Sequence, residues 1–498
     1  MKIILNICEN TKMTNSEQFK GNDRLLFGII FGVLAFWLFA QTTLNINVDM
    51  AKSLGIESSI MNIAVSITAL FSGIFIVVLG GLADKIGRMK MVTIGFYLSI
   101  LGNLIVGLTP SNSSLSSGIL ILGRILQGLS GAAIMPASLA VVKTYWQGAD
   151  RQRAISLWSM GSWGGSGFAA LFGGLMVGIG WRYIFFSAVI LSIIGLLLIK
   201  GTPECKGETT NNKKIDFIGI FIFMLAMITL QIFISKGSDF GWTSSISIGL
   251  LIATIIFLGL FIFIEKGKEG AFIDFKLFKN LTFTGATISN FMMNGTAGLL
   301  IVSLVLLQIG GNLTAQSAGM LTLGYALSII LFIRVGEKLL QRFGPRKPMI
   351  WGASIVGIAI IILMFTNVMT GTYKIMAMVA YSLFGIGLAF YATPSTDAAL
   401  SNLPSSQAGS GAGIYKMASS LGAGLGVAIS AGVFNAFKIG TNISWLEGLI
   451  TFVGRQDNVV IREAAIMGLI VNLLMVVLAI ISIMLTIPKT EKKKKIIN

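Results

Sequence analysis

The sequence predicts an all-α polytopic membrane protein that crosses the bilayer fourteen times, as two six-helix bundles with two extra helices between them. Three observations carry that prediction. Hydrophobic residues fill 54% of the 498 positions and charged residues only 11%, against about 25% charged in soluble domains. Mean hydropathy is +0.85, more than a water-covered surface supports. Apolar runs of about 20 residues, the length that spans a bilayer, recur along nearly the whole chain. In hydrocarbon every backbone N–H and C=O must be paired within the segment, so such runs form helices.

In chain order the apolar runs cover 25–47, 58–79, 91–109, 117–142, 154–178 and 183–199, then 216–235 and 244–264, then 283–309, 315–333, 349–368, 375–400, 407–434 and 464–487. They divide the chain into a tail (1–24), a first bundle (25–200), a linker with two further helices (201–282), a second bundle (283–488) and a basic tail (489–498). The N-terminal apolar patch is too short for a signal-peptide core, and Met13 opens a more polar leader and a second candidate start. Lys and Arg alternate between the two sides at roughly four to one, the bias of cytoplasmic loops. Both termini are therefore expected inside. The net charge of +17 belongs to this bias, so no nucleic-acid partner is expected.

Several chemistries lack their residues. There is no histidine, and the only cysteines are Cys8 and Cys205, so no metal site, haem ligation or disulfide framework is expected. No GxxxxGK[ST] loop for nucleotide phosphates occurs, and no nucleophile constellation points to an enzyme. No catalytic residue and no cofactor is expected.

The chain resembles itself at an offset of about 258 residues, the mark of an internal repeat. Pro136 in AIMPASLAVV answers to Pro394 in YATPSTDAAL, and Gly174 to Gly432. GGLADKIGRMK (Gly80 to Lys90) is echoed in KLLQRFGPRK, where Gly344 and Arg346 match Gly87 and Arg88. The first of these reads as a tight inner turn between spans two and three. Two parallel six-span repeats are an architecture of secondary transporters, with the substrate near the midplane between them. Spans seven and eight offer no readable chemistry and are expected to be lipid-facing spacers.

Charged and polar residues inside spans are the candidate site. Arg124 lies a third of the way into span four, where a central arginine costs about 2.5–3.5 kcal/mol on insertion scales. It needs an interior polar partner, and Gln127 shares its face. Asp397 in span twelve follows Pro394. It is read either as a buried proton carrier with a raised pKa, as the ion-pair partner of Lys416, or as a solvated helix end. Asp49, at the outer end of span one, is the second carboxylate candidate. For substrate, Trp37, Gln41 and Asn45 follow one another at helical spacing in span one, and Thr287, Asn290 and Asn294 do so in span nine. Their amides are expensive toward lipid and are expected to line a central cavity, with Trp163, Tyr391 and Tyr415 as aromatic walls. Such a broad, mostly neutral pocket suits amphiphilic or planar compounds.

These motifs resemble the major facilitator superfamily, in its fourteen-span drug:proton antiporter branch. GGLADKIGR resembles that family's loop-two motif, LGRILQGLSGAA (Leu122 to Ala133) its fourth-span motif, and GGSGFAALFGG (Gly164 to Gly174) its antiporter motif. WSMGSWGGSG, RVGEKLL and YATPSTD resemble the Nor-type quinolone exporters of Gram-positive bacteria. Ala169-Ala170 stand where the antiporter motif has Gly-Pro, and FAQTTLN in span one lacks the acid of many relatives. The resemblance implies proton-coupled drug efflux by alternating access in a bacterial plasma membrane, with protons as coupling ion. Export of one endogenous lipid, peptide or siderophore on the same scaffold is the alternative. It further implies that Gly81, Asp84, Gly87 and Arg88 clamp the two bundles and that Arg124 gates coupling. Gly161, Gly164, Gly165, Gly173 and Gly174 would pack tightly against leaks. The partners implied are small amphiphiles and the bilayer, with the protein acting as a monomer.

Overall fold

The computed structural model describes residues 19–147, 150, 153–154, 157–158, 160–206, 216–266, 268, 271, 273, 275–400, 403, 408–438 and 458–489. Among these residues the regular elements are helices, with no strand. The first bundle holds Asp23–Gln41 and Thr43–Leu54 (span one), Ser58–Ile86, Arg88–Gly107, Ser116–Tyr145, Gly165–Val177 (span five) and Arg182–Ile199. Phe217–Phe240 and Ser245–Glu265 are spans seven and eight. The second bundle opens with Leu281–Gly295 and Gly298–Val305 (span nine), then Ala315–Leu321 and Leu323–Phe343 (span ten). Arg346–Met364, Thr370–Leu400, Ala408–Lys438 and Val459–Thr486 complete it. Thirteen helical stretches are long and apolar enough to cross a membrane, and Gly165–Val177 is a shorter apolar helix. Every apolar run read from the sequence is thus a helix. The tails 1–18 and 490–498 and the side chain of Trp163 lie outside the described residues.

The ends of the helices differ from the sequence reading, and one difference matters. Span two does not stop before GGLADK but runs on to Ile86, so Gly80, Gly81 and Asp84 are helical. The turn is the single residue Gly87, at φ 123°, a conformation that glycine adopts without strain. The turn is closed from a distance. Glu204, in the loop after span six, accepts from Met89 N–H (2.8 Å) and Lys90 N–H (3.0 Å), a carboxylate at the positive end of span three. The repeat-related joint at Gly344, φ 69°, uses the opposite charge. There Arg346 donates to the carbonyls of Met484 (2.8 Å) and Ile487 (3.1 Å) at the negative end of span fourteen. Both joints lie on one face of the molecule, the basic face.

The two bundles meet along two flanks. Span two packs on span thirteen, and span five on span ten. Small residues set the approach, as in membrane helix pairs generally: a Cβ on Gly424 would sit 3.1 Å from Leu70 N, and one on Gly167 would sit 3.0 Å from Ala326 Cα.

Span seven corrects the expectation of a spacer. It lies over the first flank and touches both span two and span thirteen. Gln231 donates to Ser66 (2.6 Å), Lys236 pairs with Glu57 (2.6 Å), and the Ile234 carbonyl abuts Gly432. Span eight packs on span seven and is only 17% buried over its most apolar window, so it faces lipid as expected.

Candidate functional site

Three cavities are strung along the axis between the bundles. The central one, about 60 Å³, is bordered by Trp37 and Gln41 of span one, Ser162 and Ser166 of span five, and Asn294 of span nine. Tyr325, Phe384, Lys416 and Ser420 close the other side. A second cavity of about 490 Å³ opens toward the basic face between Asp84, Arg88, Lys143, Trp158 and Lys416. It shares Ile76, Met135 and Lys416 with the wall of the central one. Drug-sized ligands need some 300–1,000 Å³, so these two spaces together make the candidate site. A third cavity of about 410 Å³, near Asn47, Lys52, Asn62 and Lys438, opens on the opposite face. It has no lining residue in common with the central chamber.

Asn45 makes the division. Its side chain is wholly buried and donates to the carbonyls of Ala170 (2.7 Å) in span five and Ala315 (3.0 Å) in span ten. Gln308 of span nine donates in turn to the Asn45 carbonyl (2.8 Å) and its Oδ1 (3.0 Å). One amide thus ties the first bundle to two helices of the second. A Cβ on Gly174 would sit 2.5 Å from the Ala315 carbonyl, and one on Gly319 would sit 2.6 Å from that of Ala170. Asn45 is therefore part of a seal and not, as its spacing from Trp37 and Gln41 suggested, a wall of the chamber. Span one is interrupted at the single residue Thr42, itself in helical conformation, between its two helices.

The same break serves Arg124, which is 1% exposed. Its Nε donates to Ala64 O (2.7 Å), one terminal nitrogen to Gln127 Oε1 (2.7 Å), and the other to Ala40 O (2.9 Å), Thr43 Oγ1 (3.0 Å) and Val65 O (3.2 Å). Gln127 passes the chain on to Asn103 (2.8 Å). All these acceptors are neutral and all lie in the first bundle. Such a guanidinium is held fast by full hydrogen bonding.

In the second bundle the expected aromatic walls are elsewhere. The Tyr391 hydroxyl meets Ser289 (2.7 Å) and Ser395 (3.0 Å), and the Tyr415 hydroxyl donates to Ser395 (2.7 Å). Both phenols are buried behind the chamber, because a buried hydroxyl takes the partner its helix offers. Asn290 is likewise internal: it donates to Ser419 (2.6 Å) and the Tyr415 carbonyl (3.0 Å) and accepts from Asn294 (2.9 Å). Asn290 thus positions Asn294, the one member of the span-nine stripe on the chamber wall. The rings on that wall are Trp37, Tyr325 and Phe384, the last two 5.1 Å apart. Sequence spacing carried no signal for Tyr325, Phe384, Gln308 or the serines.

The carboxylates also move. Asp397 is exposed, three residues from the end of its helix, so of its three readings the geometry fits the solvated helix end and not the buried carrier. No ion pair joins it to Lys416 among the described residues. Asp49 is half-buried and borders none of the three cavities. Asp84 accepts from Arg88 Nε at 2.8 Å, and Arg88 also donates to Thr144 (2.8 Å). Among the described residues neither bonds to the second bundle, and a Cβ on Gly81 would face open space. Of the span-five glycines, Gly164 faces Ile330 and Gly174 faces Ala315 across the flank. Gly161, Gly165 and Gly173 face span one of their own bundle.

A profile of the Major Facilitator Superfamily matches residues 25–268 and 283–497. Quinolone resistance protein NorB of Staphylococcus aureus (strain MRSA252) is 46% identical over 448 residues, covering 88% of this chain and 96% of the relative. The protein of that name from strain bovine RF122 / ET3-1 is 45% identical over 474 residues, 95% of this chain and 97% of its own. Among solved structures, a bacterial homologue of the human lysosomal transporter Spinster, inward-facing and unoccupied, has a TM-score of 0.62 at 14% identity over 92% of this chain and 96% of its own. A D-xylose-proton symporter has a TM-score of 0.60 at 16% identity over 94% and 97%. At such identities these two speak for the fold alone.

Proposed function

The chain belongs to the Major Facilitator Superfamily, and on that premise we propose that it exports amphiphilic, planar compounds such as quinolones from a bacterial cell, by alternating access and in exchange for protons. One observation carries the proposal: the central chamber adjoins the basic-face cavity while the Asn45 seal parts it from the opposite face. The surplus of Lys and Arg makes the basic face the cytoplasmic one, so this is the state that loads from inside. The kinship with quinolone resistance proteins supplies the substrate class.

In this cycle Asn45, Gln308 and Gly174 form the gate on the outer side. Asp84 and Arg88 stand ready at the inner edge to clamp the bundles once the inner cavity shuts. Arg124 braces the break in span one, so that the outer part of that helix can shift without freeing the Ala40 carbonyl. The driving force is adequate: a proton crossing 100 mV yields about 2.3 kcal/mol and one pH unit about 1.4 kcal/mol. Together these hold a gradient of a few hundred-fold for a neutral cargo.

The test is reconstitution in vesicles with an imposed pH gradient. Quinolone flux should run against proton flux and collapse with a protonophore. Quinolone movement that ignores the gradient would overturn the coupling, and no movement at all would overturn the function. Competition by unrelated planar compounds is expected, whereas an exporter of a single metabolite would show none.

A further inference from the structure

Lys416 is the only charged residue on the wall of the central chamber among the described residues. It also borders the basic-face cavity, so it stands at the threshold between the two spaces. Its ammonium has no ion-pair partner among the described residues. The ring of Trp158 lies 5.8 Å from its Nζ, a weak cation–π contact. A half-buried ammonium at a cavity wall without a counter-ion is unfavourable, and a ligand that brings an anion removes that penalty.

The rest of the chamber is arranged to donate. Trp37 Nε1 is buried there with no hydrogen-bond partner among the described residues, and an indole N–H only donates. Gln41 and Asn294 add amides, and Ser420 lies one helical turn from Lys416 on the same face. The approach from the basic face passes Arg88, Lys143 and Lys416 against the single acid Asp84, whose Oδ1 is already bonded to Arg88. Such a mouth gathers anions. We infer that Lys416 is the anchor for a carboxylate on the exported compound, so that the site selects planar aromatic acids and zwitterions over neutral analogues. In the bound state the carboxylate lies against the Lys416 ammonium, its ring system between Trp37 and the Tyr325–Phe384 pair.

This inference rests on the export reading, and binding in detergent, without any gradient, tests it separately. The probes are a quinolone acid and its methyl ester, titrated against purified protein by quenching of tryptophan fluorescence. The unmodified chain should bind the acid at least tenfold more tightly than the ester. Lys416→Met should abolish that preference, and Lys416→Arg should keep it. Equal affinity of the unmodified chain for acid and ester overturns the inference, and that comparison needs no variant to fold. Lys416→Met that retains the preference, or weakens both probes by the same factor, overturns it too. Pumping of acid and ester at equal affinity would leave export standing and remove the anchor, whereas a preference without pumping would leave the anchor standing and remove export.

Discussion

Arg124 in the first bundle and Lys416 in the second are cations set between helices, and they are opposites. Arg124 in the first bundle makes five hydrogen bonds to four neighbouring backbone and side-chain sites and to Gln127. Lys416 in the second has a tryptophan ring at 5.8 Å and no anion among the described residues. Arg124 is buried and Lys416 half-buried, and what separates structure from function here is how far each is satisfied. A guanidinium with all three nitrogens bonded within its own bundle braces the interruption in span one. An ammonium left wanting at a cavity wall is free to meet cargo.

The comparison can be broken most forcefully at Arg124. Arg124→Leu leaves the Ala40, Ala64 and Val65 carbonyls without their donor, and each buried acceptor left unsatisfied costs about 1–3 kcal/mol. Thermal unfolding in detergent should fall by several degrees or the protein should fail to accumulate, and an equally stable variant would erase the contrast with Lys416. Next comes the seal. Gly174→Val drives side-chain carbons into the Ala315 carbonyl; we expect a tenfold or greater loss of gradient-driven export and a measurable proton leak in vesicles, with the chain still in the membrane. Gln231→Leu removes the 2.6 Å bond to Ser66, worth about 1 kcal/mol, and should lower the unfolding midpoint by a few degrees at most. The smallest effect is expected at Asp397. Being exposed, Asp397→Asn should change stability by less than about 0.5 kcal/mol and export by less than about twofold. Uncoupling of proton from drug flux in that variant would restore it as a carrier.

Much of the fold was legible because hydrocarbon punishes error: every apolar run had to be a helix, and each is one. The need for partners around Arg124 was legible for the same reason, but the partners were not. Its acceptors include a carbonyl beside the break at Thr42, and FAQTTLN contains neither proline nor glycine to announce a break. The span-one stripe is split in the same way, with Asn45 in the seal while Trp37 and Gln41 stay at the chamber. Tyr391 and Tyr415 were misread because helical spacing fixes which face a ring leaves from and not which serine will receive its hydroxyl. For Asp397 the sequence leaves three readings open, because one helical turn decides between oil and water. Gly87 shows the reverse case, in which a long charged motif contracts to one residue of turn because the Glu204 carboxylate caps the start of span three.

Span seven, stretched across the meeting line of spans two and thirteen, has a consequence for how greasy molecules arrive. A compound dissolved among the acyl chains approaches sideways, and of the two lateral doorways this one is already boarded over. The other, beside spans five and ten, has no such cover among the described residues. For a cargo that enters from the bilayer, entry is expected at the flank of spans five and ten, and a bulky label placed at the lipid edge of span ten should slow it where the same label on span eight does nothing.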